Sequence, residues 1–260
     1  MKQTSFETFL FTTDINIATK ATDAGVNGII IDWENKNKGR RQAGSDTQIN
    51  YDTAEDLASV SAAVENNIIC RINNTEEDLS KEIEIAILNG ANEILIPMVR
   101  APKVVEKALK IIDGRVGLGI LIETTEGIEN AAILGEMPLT RIYIGLNDLN
   151  IDRGGNNIFG PLIDGTIDNI RHHIKVPFGF GGLTLEKLGH PVPCGLFMNE
   201  MARLAADFSF LRRSFLADIK TENYMRDIAS IYKSMNKYFK LSESEINSNR
   251  KELCRIIKSL

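Results

Sequence analysis

Residues 116–124 read VGLGILIET, an apolar run that ends in a carboxylate and a threonine. Because polar and apolar residues do not alternate within it, the run predicts a strand buried on both faces, as in a parallel sheet. Residues 141–148, RIYIGLND, repeat this arrangement and end in Asp148. If these strands are parallel neighbours, their carboxyl ends meet at one edge, so we expect Glu123 and Asp148 to bind one divalent cation. Ligand atoms that are all oxygen favour Mg²⁺ or Mn²⁺ over zinc.

Similar apolar runs recur along the chain and alternate with amphipathic segments. This alternation is typical of a parallel sheet wrapped by helices, and eight such strands predict a (β/α)₈ TIM barrel with an extended C-terminal helical tail. We assign residues 1–220 to the barrel, as the catalytic domain, and residues 221–260 to the tail. The eight predicted strands are residues 6–13, 28–34, 67–73, 93–99, 116–124, 141–147, 176–181 and 208–214.

Cap and turn residues mark the helices between these strands. Thr53 and Thr75 each precede acidic residues and a leucine, so we predict that both are N-caps. Gly25, Gly90 and Gly114 stand where helices are expected to end.

The tail is longer than one closing helix requires. Residues 242–245, SESE, predict a break and the start of a second helix. That helix either packs on a neighbouring subunit or covers the bottom of the barrel, and the sequence leaves both arrangements open.

Composition argues against several classes of protein. The 260 residues are 43% hydrophobic and 25% charged, which is enough to bury a full core. A net charge of −5 without a long basic tract argues against a nucleic-acid partner. Three widely spaced cysteines indicate neither a disulfide framework nor a zinc site. With no signal-peptide pattern and no apolar run of about 18 residues, we expect a cytoplasmic protein without a membrane partner.

Further charged residues fall at the predicted strand ends. Asp32 and Glu34 end the second strand and Arg71 lies in the third, so we expect all three at the same rim as Glu123 and Asp148. A carboxylate in such a place can also serve only to cap the next helix. Arg71 can likewise form an internal ion pair with Asp32 or Glu34, which would not prevent contact with a substrate.

Five short motifs then follow one another along the chain. They are IDWEN (31–35), CRIN (70–73), EILIPMV (93–99), ILIET (120–124) and GLNDL (145–149). In this order and spacing, over about residues 6–215, the chain resembles the HpcH/HpaI aldolase and citrate lyase beta-subunit family. The resemblance implies a (β/α)₈ barrel, often oligomeric with an exchanged C-terminal helix, that uses Mg²⁺ or Mn²⁺ to stabilise the enolate of a pyruvate-like or acyl-thioester fragment. We therefore expect a homo-oligomer.

The resemblance also suggests roles for individual residues. Glu123 and Asp148 match the metal ligands of the family, and Arg71 matches the arginine that contacts the substrate oxygens. We expect backbone N–H groups to hold the substrate carboxylate where the sixth strand ends. These N–H groups belong to Gly145, Leu146, Asn147 and Asp148.

The predicted activity is that of a divalent-metal-dependent carbon–carbon lyase of the class II aldolase type, acting on pyruvate or a related 2-oxo acid through its enolate. The aldolase branch has a histidine where this chain has Asn35, and a glutamine where it has Leu121. We therefore expect Glu34 or Asp32, acting through a water bound to the cation, to transfer the proton, with His190 as a lesser candidate. Two other functions stay open: an acyl-CoA thioester lyase or hydrolase of the citrate lyase beta type, and a non-catalytic barrel that binds metal and carboxylates.

The last predicted feature lies after the seventh strand. The sequence FGFGGLT contains Gly181 and Gly182, at a place where barrels often bind phosphate, and Arg212 and Arg213 follow in strand eight. We predict substrate contacts at both glycines, from a 2-oxo acid that is phosphorylated or CoA-linked, although glycines can also serve only a tight turn. The loop 36–51 is long enough to act as a lid or to contribute substrate contacts.

Overall fold

The computed structural model describes residues 6–36, 50–212, 214–219 and 223–260. Within them, eight parallel strands pair in chain order and the last pairs with the first, which closes a barrel and confirms the predicted fold. Most strands end earlier than predicted, and only β7 runs further. The strands are β1 (Glu7–Phe11), β2 (Gly28–Asp32), β3 (Asn67–Arg71), β4 (Glu93–Ile96), β5 (Gly117–Ile122), β6 (Arg141–Ile144), β7 (Phe178–Leu183) and β8 (Phe208–Leu211).

Helices surround the barrel and bury their apolar faces against the outer surface of the strands. Every residue of β2, β4, β6 and β8 is buried, as expected for strands that are covered on both sides. The helices are α1 (Ile15–Asp23), α2 (Ala54–Ala63), α3 (Leu79–Leu88), α4 (Pro102–Ile112), α5 (Thr125–Glu129), α6 (Ala131–Leu134), α7 (Leu146–Asp152), α8 (Thr166–His173), α9 (Cys194–Arg203), α10 (Phe215–Asp218), α11 (Tyr224–Tyr238) and α12 (Glu243–Lys258).

The cap predictions are mostly confirmed. Thr53 forms a capping box with Asp56 at the start of α2, and the three predicted terminal glycines all have positive φ. The prediction for Thr75 is wrong, because α3 begins only at Leu79. The Thr75 hydroxyl instead donates to the carboxylate of Asp78, the residue before that helix.

Side chains fill the interior of the barrel, so open space for a ligand lies at its rim. The interior cluster consists of Phe9, Ile30, Ile69, Leu95, Leu121, Tyr143, Phe208 and Phe210. At the N-terminal ends of the strands, Arg141 Nε donates to the buried carboxylate of Glu93 at 2.8 and 3.0 Å. The Arg141 guanidinium also lies 4.2 Å from the centroid of the Phe9 ring. This ion pair closes the end of the barrel opposite to the predicted site.

The tail forms two helices, as predicted, with a capping box between Ser242 and Glu245 at the start of α12. Helix α11 packs against α1 and α9, and α12 packs against α9 of the same chain. Arg250 Nη1 joins α12 to α9 by donating to the buried Glu200 at 2.5 Å. Packing on a neighbouring subunit and the domain boundary at residue 220 stay predictions. In the part of the chain described above, the helices are too short or too polar to cross a membrane.

Candidate active site

A cavity of about 650 Å³ opens at the C-terminal ends of the strands. Its volume lies in the range of about 300–1,000 Å³ that is usual for small-molecule sites. Glu34 is buried at the same rim without lining the cavity. The predicted site residues that do line it are Asp32, Arg71, Glu123, Gly145, Leu146, Asn147, Asp148, Gly181 and Gly182.

Arg71 is held by a two-point contact with Asp32. Its Nε donates to Asp32 Oδ1 at 2.8 Å and its Nη2 donates to Asp32 Oδ2 at 2.7 Å. A second carboxylate, Glu34, lies 3.5 Å from Arg71 Nε, and the guanidinium stacks 4.9 Å from the centroid of the Phe11 ring. The internal ion pair considered from the sequence is therefore present. Arg71 Nη1 donates no hydrogen bond to the residues described, so this nitrogen can still face a ligand in the cavity.

Asp32 receives more hydrogen bonds than those from Arg71. The backbone N–H of Glu34 donates to Oδ1 at 3.1 Å, and Asn50 Nδ2 donates to Oδ2 at 3.0 Å. The backbone N–H of Asp32 in turn donates to Asp52 Oδ2 at 2.8 Å. Because these donors stabilise the ionised form of Asp32, its geometry suits holding Arg71 better than accepting a proton.

Glu123 follows β5 and is buried against backbone. The N–H of Met98 donates to Glu123 Oε2 at 3.0 Å, and Met98 has a left-handed φ of 51°. On the other side, Gly145 approaches so closely that a Cβ there would lie 2.2 Å from Glu123 Oε1. The absence of a side chain at position 145 therefore makes room for this carboxylate.

Burial and negative charge raise the pKa of Glu123 to about 8. Desolvation is the largest cause, and the carboxylates of Asp148 and Glu34 add to it, while Arg71 opposes it. Asp148 lies in the first turn of α7, is 9% exposed and lines the same cavity. The structure thus brings the two carboxylates predicted as metal ligands into electrostatic contact.

Two buried, mutually repelling carboxylates fit a divalent cation such as Mg²⁺ or Mn²⁺. Among the described residues there is no group of three or more His, Cys, Asp or Glu suited to a metal. Mg²⁺ is commonly bound through one or two carboxylates, with substrate and water as its other ligands. Glu123 and Asp148 would hold such an ion, which would relieve their repulsion.

The predicted backbone donors after β6 divide into two kinds. The N–H of Gly145 donates to Ile122 O at 3.3 Å, so it belongs to the sheet and not to a ligand site. The N–H groups of Leu146, Asn147 and Asp148 open α7, where the first turn of a helix lacks intrahelical acceptors. These three residues line the cavity and keep the predicted role available.

Several residues of the site were not singled out from the sequence. Met98 and Asn50 position the two key carboxylates, Glu123 and Asp32, and their roles depend on contacts between distant segments.

His190, the lesser candidate for proton transfer, is exposed and lines the cavity. The predicted lid at 36–51 falls mostly on residues outside those described, as does Arg213.

The region around Asn35 is fixed by Asn73. The side-chain carbonyl of Asn73 accepts from the backbone N–H of Asn35 at 3.1 Å and of Lys36 at 3.0 Å. Its amide nitrogen donates to Trp33 O at 2.9 Å. Position 35, where the aldolase branch carries a histidine, is therefore anchored by its backbone, and its amide side chain cannot accept a proton as a histidine would.

The HpcH/HpaI aldolase/citrate lyase family model matches residues 6–158, which is more than half of the chain. The chain therefore belongs to this family, and membership indicates an enzyme of lyase type. Its residues at the rim are those described above. A comparison with curated protein sequences finds no significant match.

Solved structures with the same fold come from several organisms. A citrate lyase from Burkholderia xenovorans LB400 has a TM-score of 0.59 at 12% identity, covering 97% of this chain and 82% of its own. RipC from Yersinia pestis has a TM-score of 0.57 at 15% identity, covering 94% of this chain and 100% of its own. A phosphoribosylanthranilate isomerase from Thermotoga maritima has a TM-score of 0.55 at 12% identity, covering 90% of this chain and 98% of its own. At these identities the likeness establishes the fold alone.

Proposed function

We propose that this protein is a divalent-metal-dependent carbon–carbon lyase of the class II aldolase type that acts through the enolate of pyruvate or a related 2-oxo acid. The observation that carries the proposal is the meeting, in one cavity, of the Glu123 and Asp148 carboxylates with the Asp32-bound guanidinium of Arg71. The two carboxylates would hold a metal ion, and the guanidinium of Arg71 adds a fixed positive charge beside it. This arrangement suits a substrate that carries both a carboxylate and a developing oxyanion.

The bond that breaks is the one between C3 and C4 of a 4-hydroxy-2-oxo acid. The proton of the 4-hydroxyl passes to a base, the C3–C4 electron pair moves to C3, and an aldehyde leaves. The enolate of pyruvate that remains takes a proton at C3. When bound, the divalent cation supplies positive charge beside the oxygen on which the enolate charge develops.

Arg71 binds and orients the substrate in this proposal. Its Nη1 N–H groups point to the oxygens of the 2-oxo acid, while Asp32 and Phe11 fix the plane of the guanidinium. Fixed donors lose little freedom on binding, which is why such an arginine stabilises a developing charge better than a mobile one. Glu34 and Asp32, the two carboxylates beside Arg71, are the candidates for transferring the proton.

The test is exchange of the methyl protons of pyruvate for deuterium in D₂O, followed by proton NMR with and without Mg²⁺ or Mn²⁺. We expect exchange by the wild type that needs the metal and is lost in Asp148→Asn. The matched control is Asp113→Asn, which makes the same change at an exposed residue that ends α4.

The outcomes separate the alternatives. Exchange that persists without metal, or in Asp148→Asn, contradicts the proposed site. If pyruvate does not exchange but the methyl protons of acetyl-CoA do, the thioester lyase takes the place of the aldolase. If neither exchanges while Mn²⁺ still binds, the barrel is a non-catalytic binder.

A further inference from the structure

Arg212 follows β8 and lines the cavity. Its Nε and Nη2 donate to Gly182 O at 3.3 and 2.9 Å, and its Cζ lies 5.6 Å from the centroid of the Phe197 ring. A Cβ built on Gly189 would lie 3.2 Å from Arg212 Nη1. Backbone and an aromatic ring therefore fix this guanidinium in place.

The charge of Arg212 has no carboxylate partner among the residues that the structure describes. In the described part of the chain no acidic residue forms an ion pair with it, whereas Arg71 has both Asp32 and Glu34. The cavity-lining residues that come from β7, from β8 and from the segments after them include no acid. Because arginine stays protonated in proteins, this wall carries a permanent positive charge. Its Nη1 donates to no described residue.

Two acids in the segments after β7 and β8 already have partners. Asp218 accepts a hydrogen bond from the hydroxyl of Thr184. Glu186 accepts from Ser234 at 2.7 Å and from Tyr238 at 3.0 Å. Since no described acid pairs with the guanidinium, an anion in the cavity can serve as its counter-charge.

The backbone of β7 bulges beside Arg212. The register of β7 against β8 shifts between Gly179 and Gly182, as in a β-bulge that leaves one residue outside the ladder. Gly181 lies in this bulge with φ of 64°, a conformation that favours glycine. Gly181 and Gly182 both line the cavity.

We infer that Arg212 and the glycine backbone at Gly181 and Gly182 bind a phosphate group on the part of the substrate that is released as the aldehyde. The inference rests on the proposed function, which assigns the pyruvate part to Arg71 and the cation. A phosphate accepts hydrogen bonds in several directions, so it can accept from the N–H groups of Nη1 while it contacts the glycine backbone that lines the cavity. His190, exposed on the same wall, adds a second positive charge when protonated. The substrate class is thus a phosphorylated 4-hydroxy-2-oxo acid.

The first test is calorimetric titration of inorganic phosphate into the metal-free protein, in EDTA, with acetate as the competing probe. We expect the wild type to bind phosphate more tightly than acetate. Arg212→Gln should weaken phosphate binding by about tenfold to a hundredfold, as loss of hydrogen bonds to a charged group does, and Arg212→Lys should weaken it less. The control Arg255→Gln changes an exposed arginine of α12 that pairs with Glu252 and should bind like the wild type.

The second test uses two aldehydes with the same carbon skeleton, glyceraldehyde 3-phosphate and glyceraldehyde, in the aldol addition to pyruvate. We expect a preference for the phosphorylated aldehyde in kcat/KM that falls by about tenfold or more in Arg212→Gln. Thermal unfolding of each variant shows whether it is folded. If Arg212→Gln does not fold, the comparison is made with Arg212→Lys.

The outcomes distinguish this inference from the function on which it rests. Phosphate binding that is absent, equal to acetate binding or insensitive to position 212 overturns the inference, even if pyruvate exchange is normal. Phosphate binding that depends on Arg212 but not on Asp148, together with no metal-dependent exchange, supports the phosphate site and refutes the lyase proposal.

Discussion

Replacement of Gly145 by alanine tests the geometry of the metal site most sharply. The new Cβ would lie 2.2 Å from Glu123 Oε1, 2.7 Å from its Cγ and 2.8 Å from its Cδ. An ordinary carbon–oxygen contact is about 3.3–3.6 Å, so the carboxylate must move by roughly 1 Å. The end of a glutamate usually moves easily, but this one is buried and held by the N–H of Met98.

We expect two measurable effects of Gly145→Ala. Overpacking should lower the free energy of unfolding by about 1–3 kcal/mol. Displacement of the carboxylate should weaken Mn²⁺ binding by about 10- to 100-fold, the usual effect of disturbing the groups around a metal. Free Mn²⁺ measured by electron paramagnetic resonance gives the affinity, and urea unfolding gives the stability.

The control is Gly160→Ala, where a new Cβ meets no atom within 4 Å. It should leave Mn²⁺ affinity unchanged and stability within about 1 kcal/mol of the wild type. If Gly145→Ala binds Mn²⁺ as tightly as Gly160→Ala does, the close contact between Gly145 and Glu123 does not position a metal ligand, and the reasoning fails.

Three further perturbations test other parts of the account. Arg71→Lys should slow metal-dependent pyruvate exchange by about 10- to 100-fold, because lysine cannot reproduce the two-point contact; an unchanged rate at subsaturating pyruvate would remove Arg71 from the site. Arg141→Met should lower the free energy of unfolding by about 3–5 kcal/mol in urea, because it leaves the buried Glu93 carboxylate without its partner, and a loss below about 1 kcal/mol would show that the pair is dispensable. The hydrogen bond from Arg203 holds the pKa of the Asp168 carboxyl below its ordinary value of 3.8, so this carboxylate stabilises the fold above that pH and its contribution is lost as the pH falls through the lower folded-state pKa. Asp168→Asn should therefore cost about 0.5–1 kcal/mol at neutral pH after solvent screening, and the difference from wild type should shrink as the pH falls below 3.8; a difference that does not change with pH would contradict the ionic origin.

Continuous apolar runs allowed the barrel to be predicted from the sequence. Residues 117–122 have no polar position, and a strand of this kind needs cover on both faces. Thr53 was predicted correctly because its capping partner lies three residues away. The prediction for Thr75 was wrong although its sequence is similar, because the helix begins only at Leu79. The Thr75 hydroxyl donates to Asp78, as that of Thr53 donates to Asp56, so this contact alone does not make a residue an N-cap. Local chemistry allowed both outcomes at Thr75, and only the folded chain decides between them.

The site was predicted as a set of strand ends, but its internal contacts were not. Pairing of Ile122 with Ile144 brings Glu123 beside Gly145, so the role of this glycine depends on strand register. Met98 supplies a donor only because its backbone is left-handed, a conformation that a methionine does not favour by itself. Such contacts arise from the closed barrel, and no short sequence pattern encodes them.

The proposed metal site requires that Glu123 and Asp148 hold one divalent cation together. A double-mutant cycle of Mn²⁺ affinity, with Glu123→Gln, Asp148→Asn and the double variant, measures this directly. We expect one Mn²⁺ per chain, a large loss of affinity in each single variant, and a double variant that binds little more weakly than either single one. Wild-type affinity in either single variant, or losses that simply add, would contradict a shared ion.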